Sequence, residues 1–284
     1  MGILALPPES HSTCSHTIDS VHPTVFHYLF LAGAALLGGA INSVAGGGSF
    51  ITFPALLQFG LLPIQANATS SVALWPGQVA SIAGYREDLK KNLRMVLPVM
   101  AVAAIGGLAG SLTLLHGSQR SFLRLVPYLF LLGSVSFGLS GPIRRRMLRR
   151  MLESTDHPER RRHVAMLPLL GTLLAVTYYI GYFGAGAGLL TMSALSLCGV
   201  ERIAEVNALK TVITTTANAV ACTTFILGGA VEWRYCWMMM IACAVGGYTG
   251  ARNARPIGDR ILRPVIVTLG IGLAVWFFLH KGAL

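Results

Sequence analysis

Residues 38–74 read GGAINSVAGGGSFITFPALLQFGLLPIQANATSSVAL. An apolar stretch runs into three consecutive glycines, Gly46, Gly47 and Gly48. It resumes for only a short run, 49–62, before a polar cluster, Asn67, Thr69, Ser70 and Ser71. A membrane helix needs about 20 mainly apolar residues, so the run after the glycines is short for a crossing. A second stretch, residues 181–211, reads GYFGAGAGLLTMSALSLCGVERIAEVNALKT and has the same design. Glycines Gly184, Gly186 and Gly188 precede a short run, 188–200, and then the polar cluster Asn207, Lys210, Thr211 and Thr214.

The two stretches share one register. Asn67-Ala68 recurs as Asn207-Ala208, an offset of 207 − 67 = 140. Without a gap, the same offset aligns Gly46 with Gly186, Gly48 with Gly188 and Arg94 with Arg234. It also aligns Gly106-Gly107 with Gly246-Gly247, Gly110 with Gly250 and Arg120 with Arg260. The chain is read as two fused copies of a unit of about five segments.

Ten apolar segments are read: 25–45, 49–62, 67–85, 94–115, 122–141, 164–184, 188–200, 207–228, 235–252 and 263–280. Hydrophobic residues make up 54% and charged residues 12% of the 284 residues. A soluble domain carries about 25% charged residues, so lipid is the solvent. The runs do not alternate as the strands of a membrane barrel would. The expected fold is all-α integral membrane, with about 8–10 hydrophobic segments in two homologous inverted halves and glycine-broken hairpins. The expected organisation is a polar tail, 1–24, a first membrane repeat, 25–141, a basic linker, 142–163, and a second membrane repeat, 164–284.

The formal charge of +11 resides mainly in loops. That is the pattern of the positive-inside rule and not of nucleic-acid binding. Let the amino terminus be outside, with each short run returning across the membrane. The inside then receives 18 of the 22 Lys and Arg, including the groups at 86–94, 144–162 and 252–263. If the short runs do not return, the group at 252–263 is stranded outside. The returning arrangement is preferred. Its odd number of segments turns the second copy upside down, with both termini on the outer (periplasmic) side of the inner membrane. Inverted repeats of this kind are common in secondary transporters, with the substrate near the midplane.

The tail, 1–24, lacks Lys and Arg, and so lacks the basic start of a secretory signal peptide. His11, His16, His22 and His27 are too irregularly spaced to read as a metal site. Of the five cysteines, Cys198, Cys222, Cys236 and Cys243 read as small core residues.

Candidate site residues follow from the breaks and from the polar clusters. Broken backbone at membrane depth is tolerated only where protein or a water cavity covers it. Free backbone N–H groups there suit an anion. Close helix packing through small residues is the competing reading. The candidate lining is Asn42, Gly46, Gly47, Gly48, Ser49, Asn67, Thr69, Ser70, Gly186, Gly188, Asn207, Lys210 and Thr211. The hydroxyls and amides among them are donors for an oxyanion, or else helix caps and interhelical glue. Lys210 is the one Lys or Arg placed within a segment. It either attracts an anion or snorkels to the interface. All eleven acids fall in tails, loops or segment edges. Cation paths and proton relays usually need a buried carboxylate, so an anion is favoured. No acid pair, HExxH or Ser–His arrangement suggests an enzyme.

These residues carry a resemblance. In the first stretch, Asn42, the glycine run Gly46 to Gly48, Pro54 and the run from Ala66 to Ser70 resemble the amino-terminal signature of the TauE/SafE family of sulfite and sulfonate transporters. Residues 181–211 resemble that family's second motif, with Ala194 where Pro54 stands in the first copy. The resemblance implies a secondary transporter for sulfite or an organosulfonate. An anion channel, or a permease for another small organic anion, is the alternative. No cofactor is expected, with H+ or Na+ as the candidate coupling ion. The expected partners are a small anionic substrate and the lipid bilayer, not nucleic acid, with a homo-oligomer possible.

Overall fold

A computed structural model describes residues 25–82, 93–156, 166–200 and 203–279. The tail 1–24, the charged segment 83–92 and part of the basic linker, 157–165, lie outside the described residues. Every regular element among the described residues is an α-helix. In chain order these are α1 (Val25–Ala45), α2 (Ser49–Gln58), α3 (Pro63–Ile82), α4 (Leu93–His116) and α5 (Gln119–Asp156). They continue with α6 (Met166–Tyr182), α7 (Ala187–Leu197), α8 (Ile203–Leu227) and α9 (Trp233–Leu279).

Among the described residues, three spans are long and apolar enough to cross a membrane on length and composition: Phe26–Ser43, Met95–His116 and Gln119–Leu139. Ten apolar segments are read from the sequence, so the difference needs a cause. α2, α6, α7 and the stretch Pro264–Leu279 are apolar but shorter. α3 and α8 are long enough, but carry Asn67, Thr69, Ser70, Ser71 and Gln78, and Asn207, Lys210, Thr211, Thr214 and Asn218. Those polar residues lower the hydropathy of helices that are placed inside the bundle.

Most boundaries fall within a few residues of the expected ones, and two elements run well past them. α5 continues past residue 141 into the linker, as far as Asp156. Its extension is rich in Arg, Met and Leu, all good helix formers. α9 is one helical element where two segments are read. Its two ends nevertheless pack like separate segments. The first lies along α1: the Arg234 guanidinium donates to the Tyr28 hydroxyl at 3.0 Å, and Cys243 Sγ donates to the Ala35 carbonyl at 3.2 Å. The second lies along α5, where Phe277 stacks on Phe130 at 5.9 Å and Phe278 meets Tyr128 at 5.1 Å.

Small residues let the helices approach. Gly106 and Gly110 form a GxxxG pair on α4, facing Thr177, Tyr178 and Tyr182 of α6. Gly246 and Gly250 form the same pair on α9, facing Leu36 and Ala40 of α1. At all four positions a Cβ would collide with the neighbouring helix. Such motifs bring backbones close enough for dispersion to hold helices together in lipid. A second centre of packing is aromatic. Phe50, Phe53, Phe122, Phe130, Phe137 and Phe183 are all buried and join α2 and α5 to the segment after α6.

Candidate functional site

α1 ends at Ala45 and α2 begins at Ser49. Between them Gly46 has φ +77°, a left-handed conformation that residues with a Cβ rarely adopt. α6 ends at Tyr182, and Gly184 and Gly186 have φ +76° and +74° before α7 begins. Gly46 and Gly186 are the register-equivalent positions, and both need the same glycine-only backbone. The two breaks also meet: a Cβ on Gly46 would lie 3.6 Å from Gly188 Cα.

Around this meeting point lies a cavity of about 130 Å³. One water needs only about 10–15 Å³, so the space suits several waters or one small solute. α1, the first break and the start of α2 contribute Gly39, Asn42, Ser43, Gly46 and Ser49. α3 contributes Ser71, Leu74 and Gln78, and α8 contributes Lys210, Thr211, Thr214, Thr215 and Asn218. Phe183, Gly184, Ala187 and Gly188 lie at the second break, and α9 adds Cys243 and Gly247. The wall has one charged residue, Lys210, and no carboxylate. Lys210 is half-buried and makes no ion pair among the described residues. Deep inside the wall, Asn218 Nδ2 donates to Gln78 Oε1 at 2.9 Å. This bond joins two residues 140 apart in the sequence.

Of the candidate residues, Asn42, Gly46, Ser49, Gly188, Lys210 and Thr211 line the cavity. The others do not. Gly47 faces the Phe137 ring, and Gly48 packs against the Gly38 carbonyl. Gly186 caps α7 and abuts Gly133. Thr69 accepts from the Glu232 backbone N–H at 3.0 Å, and Ser70 shares a hydrogen bond with Thr52 at 2.5 Å. Asn67 donates to the Tyr182 carbonyl at 3.2 Å. Asn207 is a turn before Thr211, which donates to its carbonyl at 2.9 Å. Helical rotation explains the division on α3. Ser71, Leu74 and Gln78 share a face, which leaves Thr69 and Ser70 on others. The sequence reading misses Ser43, Gln78, Thr215 and Asn218 as lining residues. The register could have marked two of them, since Gln78 and Asn218 are amides 140 apart.

The family model for Sulfite exporter TauE/SafE matches residues 31–277. The chain belongs to the TauE/SafE family. Proteins similar to it carry compatible names. A "Probable membrane transporter protein ORF9" from Sinorhizobium sp is 28% identical over 256 residues, covering 88% of this chain and 92% of that protein. The "Probable membrane transporter protein YfcA" of Escherichia coli K12 is 27% identical, covering 89% of each. A "Probable membrane transporter protein" of Haemophilus influenzae is 25% identical, covering 89% of this chain and 94% of that protein. No solved structure matches. Family, relatives and apolar helices agree on a membrane transport protein, and the TauE/SafE match spans both glycine breaks and every lining residue of the cavity.

Proposed function

We propose that this TauE/SafE protein is a secondary transporter that moves a small sulfur-containing anion, sulfite or an organosulfonate, across the inner membrane. The carrying observation is the cavity wall: hydroxyls and amides, one lysine and no carboxylate. Neutral donors satisfy the oxygens of an anion while leaving it free to depart. A single cation supplies attraction that strengthens where water is thin. The family's description as a sulfite exporter supports a sulfur oxyanion as cargo. The coupling ion is H+ or Na+.

The transport cycle is read as alternating access by two inverted halves, 25–141 and 164–284, about the cavity between them. Helix directions support this. α1 and α2 run antiparallel, with Phe30 stacked on Phe59 at 6.3 Å. α2 and α5 are also antiparallel, since Phe50 meets Phe137 while Phe53 meets Phe122. α1 is therefore parallel to α5. α4 leads into α5 through a tight turn and is parallel to α6, with Gly106 on Thr177 and Gly110 on Tyr182. α1 and α6, the first segment of each copy, therefore point in opposite directions.

Sided labelling tests the arrangement in a chain freed of its native cysteines. Ser118→Cys, at the exposed turn between α4 and α5, should react with an impermeant thiol reagent in intact cells. Ser154→Cys in the linker and Gly258→Cys, the register partner of residue 118, should react only after permeabilisation. Labelling of residues 118 and 258 from the same side rules out inverted halves. Uptake of radiolabelled sulfite by proteoliposomes tests the transport reading. Saturation at low concentration, with competition by small sulfonates, is expected of a carrier. Uptake that rises linearly with concentration points to an anion channel.

A further inference from the structure

Three buried side-chain polar atoms among the described residues have no hydrogen-bond partner: Asn67 Oδ1, Trp75 Nε1 and Thr215 Oγ1. Leaving a buried polar group unpaired costs about 1–3 kcal/mol, so each calls for a cause. Two of the three are donors, and they occupy equivalent positions, because 215 − 75 = 140.

Thr215 is the buried threonine of α8 that makes no hydrogen bond; Thr216, which makes none either, is part-exposed. Thr211, Thr214, Thr223 and Thr224 each donate to the carbonyl one turn back, at 2.8–2.9 Å. Thr215 does not, although it is only 4% exposed. It lines the cavity beside Asn218, three residues on and on the same face of the helix. Trp75 and Gln78 have the same spacing on α3, and Gln78 is the residue that bonds to Asn218. Each half thus offers the same pair, an orphaned donor and an amide. The amides meet each other. The donors differ in one respect: Thr215 faces the cavity, and Trp75 is absent from its wall.

In an inverted repeat, alternating access exchanges the conformations of the two halves, so each takes up the surroundings the other had. Resting on the anion-carrier reading, we propose that Thr215 Oγ1 donates to an oxygen of the bound anion in the state described here, and that the Trp75 indole N–H takes over when the halves exchange. The Gln78–Asn218 bond sits at the axis of that exchange. Both orphaned donors then have an acceptor, the cargo, each in its own state. The cargo class is a compact oxyanion, whose oxygens are acceptors for either donor.

Thr215→Val keeps the shape and removes the hydroxyl. In calorimetric titration of the purified full chain with sulfite and with ethanesulfonate, Thr215→Val should bind about tenfold or more weakly than wild type. Thr215→Ser should stay within about threefold of wild type. The unfolding temperature of Thr215→Val should not fall, since an unpaired buried hydroxyl has been removed. In proteoliposomes of uniform orientation, Thr215→Val should raise the half-saturating concentration on the side where the exposed Ser43 rims the cavity. Trp75→Phe should raise it on the opposite side. Wild-type affinity in Thr215→Val overturns the assignment, while wild-type binding still upholds the anion reading. If both variants act on the same side, the handover is wrong. If wild type binds and transports neither anion, the transport reading itself falls, and this inference falls with it.

Discussion

Lys210→Glu is expected to abolish uptake of sulfite and small sulfonates, and Lys210→Gln to weaken it ten- to a hundredfold. Lys210 is the single charged residue on the cavity wall. A hydrogen bond to a charged group contributes about 1.5–3 kcal/mol, which is about ten- to a hundredfold in affinity. Glutamate replaces that attraction with like-charge repulsion against the anion. Folding should be spared in Lys210→Gln. The half-buried ammonium has no carboxylate partner among the described residues, so the substitution leaves no buried counter-charge stranded. Lys210→Arg should retain part of the activity because it keeps the charge. Uptake in proteoliposomes, with thermal unfolding of the same preparations, checks all three. Normal uptake by Lys210→Gln would assign the lysine to snorkelling at the interface. Parallel loss of uptake and of folded protein would make its role structural.

The second large effect concerns packing. Gly246→Leu and Gly106→Leu are each expected to destabilise the protein by about 3 kcal/mol or more, beyond the usual cost of overpacking. At Gly246 an added side chain meets the Leu36 carbonyl, and at Gly106 it meets Thr177. The first obstacle is backbone, which cannot swing aside as the end of a flexible side chain can. Because the two sites are register-equivalent, their effects should be similar. Gly171→Leu is the control, since nothing lies near its added Cβ. Folded yield and the midpoint of thermal unfolding in detergent measure the difference. Wild-type stability in both variants would show that the helices are not held at the distance described.

Much of this was legible in the sequence for identifiable reasons. Lipid tolerates few charges, so composition alone marks a membrane protein. A left-handed backbone between two helices needs glycine, and the register finds Gly46 and Gly186 without any structure. Lys210 announces itself because a cation within an apolar segment is costly. Gln78 and Asn218 do not, because amides in a polar helix read equally well as interhelical glue. What singles them out is the face each presents, and that depends on how α3 and α8 pack. The same limit applies to Asn67, Thr69 and Ser70. Their types suit an anion, yet their partners are the Tyr182 carbonyl, the Glu232 N–H and Thr52. The extension of α5 into the linker was equally hard to foresee, since a run of arginines marks a membrane edge whether or not the backbone stays helical.

Counterflow tests the central reading most directly. Proteoliposomes containing the purified protein are preloaded with unlabelled sulfite and diluted into a trace of radiolabelled sulfite. A carrier whose cavity opens alternately to each side must return with labelled cargo after releasing unlabelled cargo. The predicted result is therefore a transient accumulation of label above its equilibrium level, abolished in Lys210→Glu. Label that rises to equilibrium without an overshoot, or that enters empty liposomes equally fast, would contradict alternating access through this cavity.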